Sequence, residues 1–170
     1  MRIGIIKEGK KPIDRRAPLS PNQCSDLMKK FPQFSLVVQP SPIRCFSDKD
    51  YLDKGVKLKE DLSDCDLIIG IKEVPIESLL ENKKFLFFSH TIKKQPYNRN
   101  LLKEIIRKKI DLIDYEVLSN VKGHRIIGFG RYAGIIGCYN AFLTYGLKSN
   151  SFNLKPAHLC FDKKEMESEL

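Results

Sequence analysis

The chain has no Cys-x-x-Cys pair: its five cysteines, at positions 24, 45, 65, 138 and 160, are widely scattered. That scatter argues against a zinc site and a disulfide framework, and it fits a reducing, cytoplasmic compartment. No apolar run approaches the length needed to cross a bilayer, and none has the pattern of a secretory leader, so no membrane association is expected. Internal repeats and low-complexity segments are absent as well. The net charge is +9, yet the 30 Lys and Arg are spread along 170 residues with no dense basic tract. Without such a tract or a recognised nucleic-acid motif, the excess reads as solvated lysine faces rather than a nucleic-acid footprint. Basic residues gathered beside a crevice would instead suit an acidic small molecule.

What is present is a regular alternation. Short apolar runs at residues 2–6, 35–39, 66–71, 85–89, 110–114 and 125–129 read as strands, several of them as buried parallel ones. Between them lie helix signals. Ser20-Pro21-Asn22-Gln23 combines a capping residue, a first-turn proline and a capping-box glutamine, predicting a helix to about residue 30. Ser47 opens a shorter helix ended by Gly55, and Leu101, Leu102, Ile105 and Ile106 form an apolar stripe that predicts a helix over residues 96–108. The fold class is therefore α/β: a layered, mostly parallel, Rossmann-like sheet with helices on both faces. Residues 115–118 and 125–129, separated by a polar turn, are expected as a hairpin at its edge. Residues 132–145 form a predicted apolar helix carrying Ala133, Gly134, Gly137 and Ala141. Small residues admit close packing, and dimerisation through this helix is one reading. Residues 149–156 read as a linker, and 163–169 as a charged helical fragment.

Two of the strand-like runs end abruptly in an ionisable residue. Gly70-Ile71-Lys72 closes one, and Phe87-Phe88-Ser89-His90 closes another. Ligands of open α/β sheets bind outside the carboxyl ends of the strands, so Lys72 and His90 are expected to project into one crevice. Histidine exchanges protons near neutral pH, and a partly buried lysine either does likewise or holds a carboxylate. A solvated strand-end lysine and a turn-capping histidine are the duller readings. Arg16 lies in the loop after the first strand and offers a two-pronged fork to a carboxylate. Glu116, at the end of the fifth strand, is placed to hold an amine or to orient Lys72. Gly128-Phe129-Gly130-Arg131-Tyr132-Ala133 matches a dinucleotide fingerprint, but no acidic residue follows near position 150 to take a ribose. A tight turn into a packed helix is the stronger reading of Gly128 and Gly130.

Taken together, Lys7-Glu8, Asp14-Arg15-Arg16, Gly70-Ile71-Lys72, Phe87-Phe88-Ser89-His90-Thr91, Lys93, Gln95, Asp114-Tyr115-Glu116 and Phe129-Gly130 with Tyr132-Ala133-Gly134 resemble the lysine-ketoglutarate reductases. These are the lysine-forming saccharopine dehydrogenases and the reductase half of the aminoadipic semialdehyde synthases, within the alanine dehydrogenase/transhydrogenase amino-terminal superfamily. The resemblance implies an oxidoreductase that condenses lysine with 2-oxoglutarate and reduces the imine with NAD or NADP. It further implies Lys72 and His90 as the acid/base pair, Glu116 tuning Lys72, and Arg16 and Lys93 on substrate carboxylates. The implied organisation is a substrate domain at 1–129, a connector helix at 130–148, and a linker with the start of a truncated segment at 149–170. The cofactor domain is then expected outside these 170 residues, with the chain inactive by itself. Alanine dehydrogenase-like chemistry and a non-catalytic oxo-acid or amino-acid binding module are the alternatives. Asp14 stands where the family usually has Glu, a mild departure.

Overall fold

The computed structural model describes all residues from Met1 to Leu170 and divides into two compact units, Met1–Ile127 and Gly128–Leu170. The first unit holds six strands: β1 (Arg2–Ile5), β2 (Ser35–Val38), β3 (Lys57–Leu58), β4 (Leu67–Ile69), β5 (Lys84–Phe87) and β6 (Asp111–Asp114). They form one sheet in the order β3-β2-β1-β4-β5-β6, and every pairing is parallel. The chain winds outward from β1 to β3, then returns to the other side of β1 and winds outward again. The direction reverses between β1 and β4, and the carboxyl ends of strands at such a reversal are where open α/β sheets place their ligand sites.

Period-two alternation covers both faces, as a parallel sheet requires. Ile3, Ile5, Leu36 and Val38 pack with Cys24 of helix α1 (Pro21–Lys30) and Tyr51 of helix α2 (Asp48–Leu52). Ile68, Phe85 and Phe87 turn to the opposite face, where Leu101 and Ile105 of helix α3 (Arg99–Arg107) meet them. Ser20 caps α1 through the expected box, accepting the Gln23 N–H while the Gln23 side chain accepts the Ser20 N–H. Tyr51 is fully buried because its hydroxyl reaches the Leu19 carbonyl at 2.7 Å.

Two elements depart from the sequence reading. The expected edge hairpin is reduced to a single antiparallel bridge between Ser119 and Arg125. Asn120 holds that turn by accepting the N–H groups of Lys122 and His124, and no strand forms over 125–129. Conversely, β3 has only two residues, with Lys57 exposed, too short and too polar to stand out as an apolar run.

The second unit contains helix α4 (Gly130–Ser149) and helix α5 (Lys163–Ser168). Helix α4 is longer at both ends than its apolar stretch, and Asn150 closes it in a left-handed conformation. Tyr139 donates to the Lys155 carbonyl at 2.6 Å, Lys155 pairs with Glu165, and Met166 is buried beside them. No helix of the chain is long and apolar enough to cross a membrane.

Candidate active site

Four strand exits supply the site, and the sheet ladder sets their spacing. Backbone bonds continue past the strand ends: Ile6 N–H to Ile69 O, Phe88 N–H to Ile71 O, and Tyr115 N–H to Phe87 O. The loops after β1, β4, β5 and β6 therefore leave the sheet side by side.

At the reversal point, Glu8 from the β1 loop reaches under the end of β4. One carboxylate oxygen accepts the Ile71 N–H at 2.6 Å and the other accepts the Lys72 N–H at 2.9 Å. Gly70 is required directly before them: a Cβ there would stand 3.0 Å from Ile6 Cγ2 and 3.4 Å from a Glu8 oxygen. Burial pushes the Glu8 carboxyl above the usual range, opposed by those two N–H groups and by Arg16. The Lys10–Glu73 ion pair, at 2.5 Å, ties the same two loops together further out.

Arg16 does not stand alone. Asp14 accepts from its Nε at 2.9 Å, its Nη2 at 2.5 Å and its backbone N–H at 3.1 Å, so the guanidinium arrives oriented at the edge. The Arg16 hydrogen bond is the largest influence on Asp14 and holds its carboxyl below the usual range, and Lys72 adds to the lowering.

One strand further along, His90 Nδ1 lies 2.9 Å from Glu116 Oε2, and Lys93 Nζ lies 3.2 Å from Glu116 Oε1. Nδ1 is also 3.4 Å from Lys93 Nζ. The shorter contact decides the proton: a carboxylate only accepts, so Nδ1–H donates to Glu116 and Nε2 remains the nitrogen that can exchange a proton. Burial works to raise the Glu116 carboxyl, but the His90 and Lys93 hydrogen bonds together bring it below the usual range. Phe88 stacks on the imidazole, with ring centroids 6.0 Å apart and planes 20° apart.

The structure thus groups the sequence-derived residues into two neighbouring clusters. Lys72 lies with Glu8, Asp14 and Arg16, while Glu116 joins His90 and Lys93. Glu116 does not pair with Lys72, because β6 borders β5 and not β4. Gly128 and Gly130 lie in the second unit at the start of α4, with no strand ahead of them and open space where a Cβ would stand. A dinucleotide loop needs that strand and glycines forced by close approach, so these two do not fit a cofactor cradle. Sequence reasoning assigned no role to Glu8, Ser89 or Asp114. The available signal was an acidic or hydroxyl residue at a strand's last position, as Asp114 is, or two to three positions beyond it, as Ser89 and Glu8 are.

An all-parallel sheet with this strand order and polar groups at its carboxyl edge defines an α/β domain of the doubly wound kind. The chain belongs to the alanine dehydrogenase/PNT N-terminal domain family, whose model matches residues 4–136. It is similar to the mitochondrial alpha-aminoadipic semialdehyde synthase of Mus musculus, 42% identical over 146 residues that cover 86% of this chain and 16% of that protein. It is also similar to a saccharopine dehydrogenase [NAD(+), L-lysine-forming] of Yarrowia lipolytica, 32% identical over 132 residues, covering 75% of this chain and 35% of that protein. Among solved structures an L-alanine dehydrogenase superposes with a TM-score of 0.58 at 19% identity, over 72% of this chain and 34% of that one. The chain therefore spans well under half the length of each.

Proposed function

We propose that this chain is the substrate-side domain of an NAD(P)-dependent oxidoreductase that joins the amine of lysine to 2-oxoglutarate, giving saccharopine. The observation that carries the reading is the His90–Glu116 dyad at the carboxyl edge, one strand away from Lys72. The similarity to a lysine-forming saccharopine dehydrogenase supports lysine and saccharopine as reactant and product. The nicotinamide cofactor supplies the hydride and, in this reading, is held outside these residues, with the helix at 130–148 as the connector toward its domain.

The chain's own groups account for binding and for the proton transfers. In this reading Arg16, fixed by Asp14, and Lys93, beside Glu116, hold the substrate carboxylates. Imine formation takes a proton from the incoming ammonium and gives one to the oxygen that leaves as water. His90 Nε2 suits that exchange, because Glu116 stabilises the imidazolium through Nδ1. Lys72 has no ion-pair partner at its ammonium, so it is available to the reacting centre as a proton donor or as a charge.

The test is calorimetric titration of this chain with 2-oxoglutarate, alongside a thermal melt. Saturating oxo acid is expected to raise the melting temperature by mass action, and Arg16→Gln to abolish the shift. An unshifted melt at saturating oxo acid overturns the assignment of a carboxylate site.

A further inference from the structure

Adjoining the His90–Glu116 dyad in sequence is a polar cluster that makes no hydrogen bond to the dyad's ring or carboxylate. Ser89 is fully buried and Asp114 is 7% exposed. The Ser89 hydroxyl donates to Asp114 Oδ2. The same Ser89 oxygen lies 2.7 Å from Thr91 Oγ1 and accepts the Thr91 backbone N–H at 3.1 Å. With its proton given to a carboxylate, Ser89 must accept from both Thr91 groups, so its one donor and two lone pairs are all used. The second Asp114 oxygen, Oδ1, accepts the Glu116 backbone N–H at 2.8 Å.

One buried carboxylate thus grips both loops that carry the dyad, through Ser89 on the β5 side and directly on the β6 side. Its consequence is visible in the backbone. His90 has φ 54° and ψ 12°, a left-handed conformation uncommon for a residue with a side chain and costly unless neighbouring contacts support it. The bonds from Ser89 to both polar groups of Thr91 close the turn around His90 and supply that support. The left-handed turn brings the imidazole back over Phe88 and toward Glu116.

We infer that Ser89 and Asp114 are positioning residues: they fix the His90 turn and the Glu116 loop in register, and so select the Nδ1–H tautomer of His90. The inference rests on the reading of His90 and Glu116 as the acid–base pair. Neither Ser89 nor Asp114 touches substrate; both act through the backbone of the residues that would.

The tautomer is read directly by long-range nitrogen–proton NMR correlation of the histidine rings in the 170-residue chain, without substrate. His124 and His158 are exposed and serve as internal references for an unconstrained ring. The wild-type chain is expected to show His90 protonated at Nδ1, unlike the two references. Ser89→Ala and Asp114→Asn are expected to move the His90 pattern to that of the references. Ile105→Val, on the buried face of α3, trims the core without removing any hydrogen bond of the cluster and is expected to leave the His90 pattern unchanged.

If Asp114→Asn does not fold, Ser89→Ala and Thr91→Val decide, Thr91→Val being expected to give a partial shift. Retention of the Nδ1–H pattern in Ser89→Ala and Thr91→Val overturns the inference. So does its absence from the wild-type chain, or its loss in Ile105→Val as well, which would make it a general loosening. None of these outcomes depends on oxo-acid binding, so failure of the functional reading in calorimetry is distinguishable from failure here.

Discussion

The Glu8 carboxylate accepts the backbone N–H of Lys72 at 2.9 Å, with its other oxygen on the N–H of Ile71 at 2.6 Å. This is a backbone clamp rather than a charge pair: the acid of one strand exit sets the direction in which the next strand exit delivers its lysine. Removing the acceptor leaves two partly buried donors unpaired, at about 1 to 3 kcal/mol each. Glu8→Ala is expected to lower the unfolding free energy by about 2 to 4 kcal/mol, allowing for water entering the space. Glu8→Gln keeps one acceptor and should lose less. Urea titrations of the two variants check the order, and a loss below about 0.5 kcal/mol in Glu8→Ala would show that water replaces the clamp fully.

The same residue gives stability a pH dependence of unusual sign. Its folded-state pKa is raised by burial, so the native chain holds a proton that the unfolded chain has already released. As pH rises from the ordinary carboxylate value through the raised one, stability falls. Asp14, held low chiefly by Arg16, works the other way. Its contribution is complete above the ordinary carboxylate value and is lost as pH falls through the lowered one. Unfolding midpoints measured across pH should therefore lose the descending part of the profile in Glu8→Gln and the acid-side rise in Asp14→Asn. A profile unchanged in Glu8→Gln would mean that its carboxyl titrates alike in both states.

Much of this was legible from the residues because local rules governed it. The capping box at Ser20, the stripe of α3 and the apolar runs of β1, β2, β4, β5 and β6 appear where the pattern places them. Three features were not legible. Strand order comes from winding, so nothing in the spacing of Lys72, His90 and Glu116 says that β5 separates the lysine from the glutamate. The hairpin failed because the polar turn held by Asn120 closes on itself after one bridge and the 125–129 run finds no partner strand. Asp114 looked like a strand-end acid among many; its role depends on Ser89, two residues past the end of neighbouring β5 and 25 residues away in sequence.

Gly70 makes the close approach of β1 and β4 testable. A Cβ would meet Ile6 Cγ2 at 3.0 Å and a Glu8 oxygen at 3.4 Å, both in positions fixed by the core and the clamp. Gly70→Ala is expected to destabilise by about 1 to 3 kcal/mol, the range for forcing extra atoms into a packed site. It should also weaken 2-oxoglutarate binding by displacing Lys72. Gly128→Ala, where a Cβ meets nothing, is expected to change neither. Thermal melts and calorimetry on the pair check the contrast, and equal effects would mean that the 70–72 turn is not fixed by this contact.

Lys72 and His90 reach the edge on adjacent strands but are held by different devices, which separates their contributions. His90 is fixed on three sides, by Glu116, Phe88 and its own left-handed turn. Lys72 is fixed only at its backbone, leaving the ammonium to follow the reacting group. In a polypeptide that joins this domain to a nucleotide-binding domain, Lys72→Met is expected to lower turnover at least about a hundredfold with reduced nicotinamide, lysine and 2-oxoglutarate. Lys72→Arg keeps the charge but cannot give up its proton, so it separates the two roles. Turnover restored by Lys72→Arg makes Lys72 an electrostatic holder. Turnover as low as in Lys72→Met makes it a proton donor, and a near-normal rate in Lys72→Met removes it from the mechanism altogether.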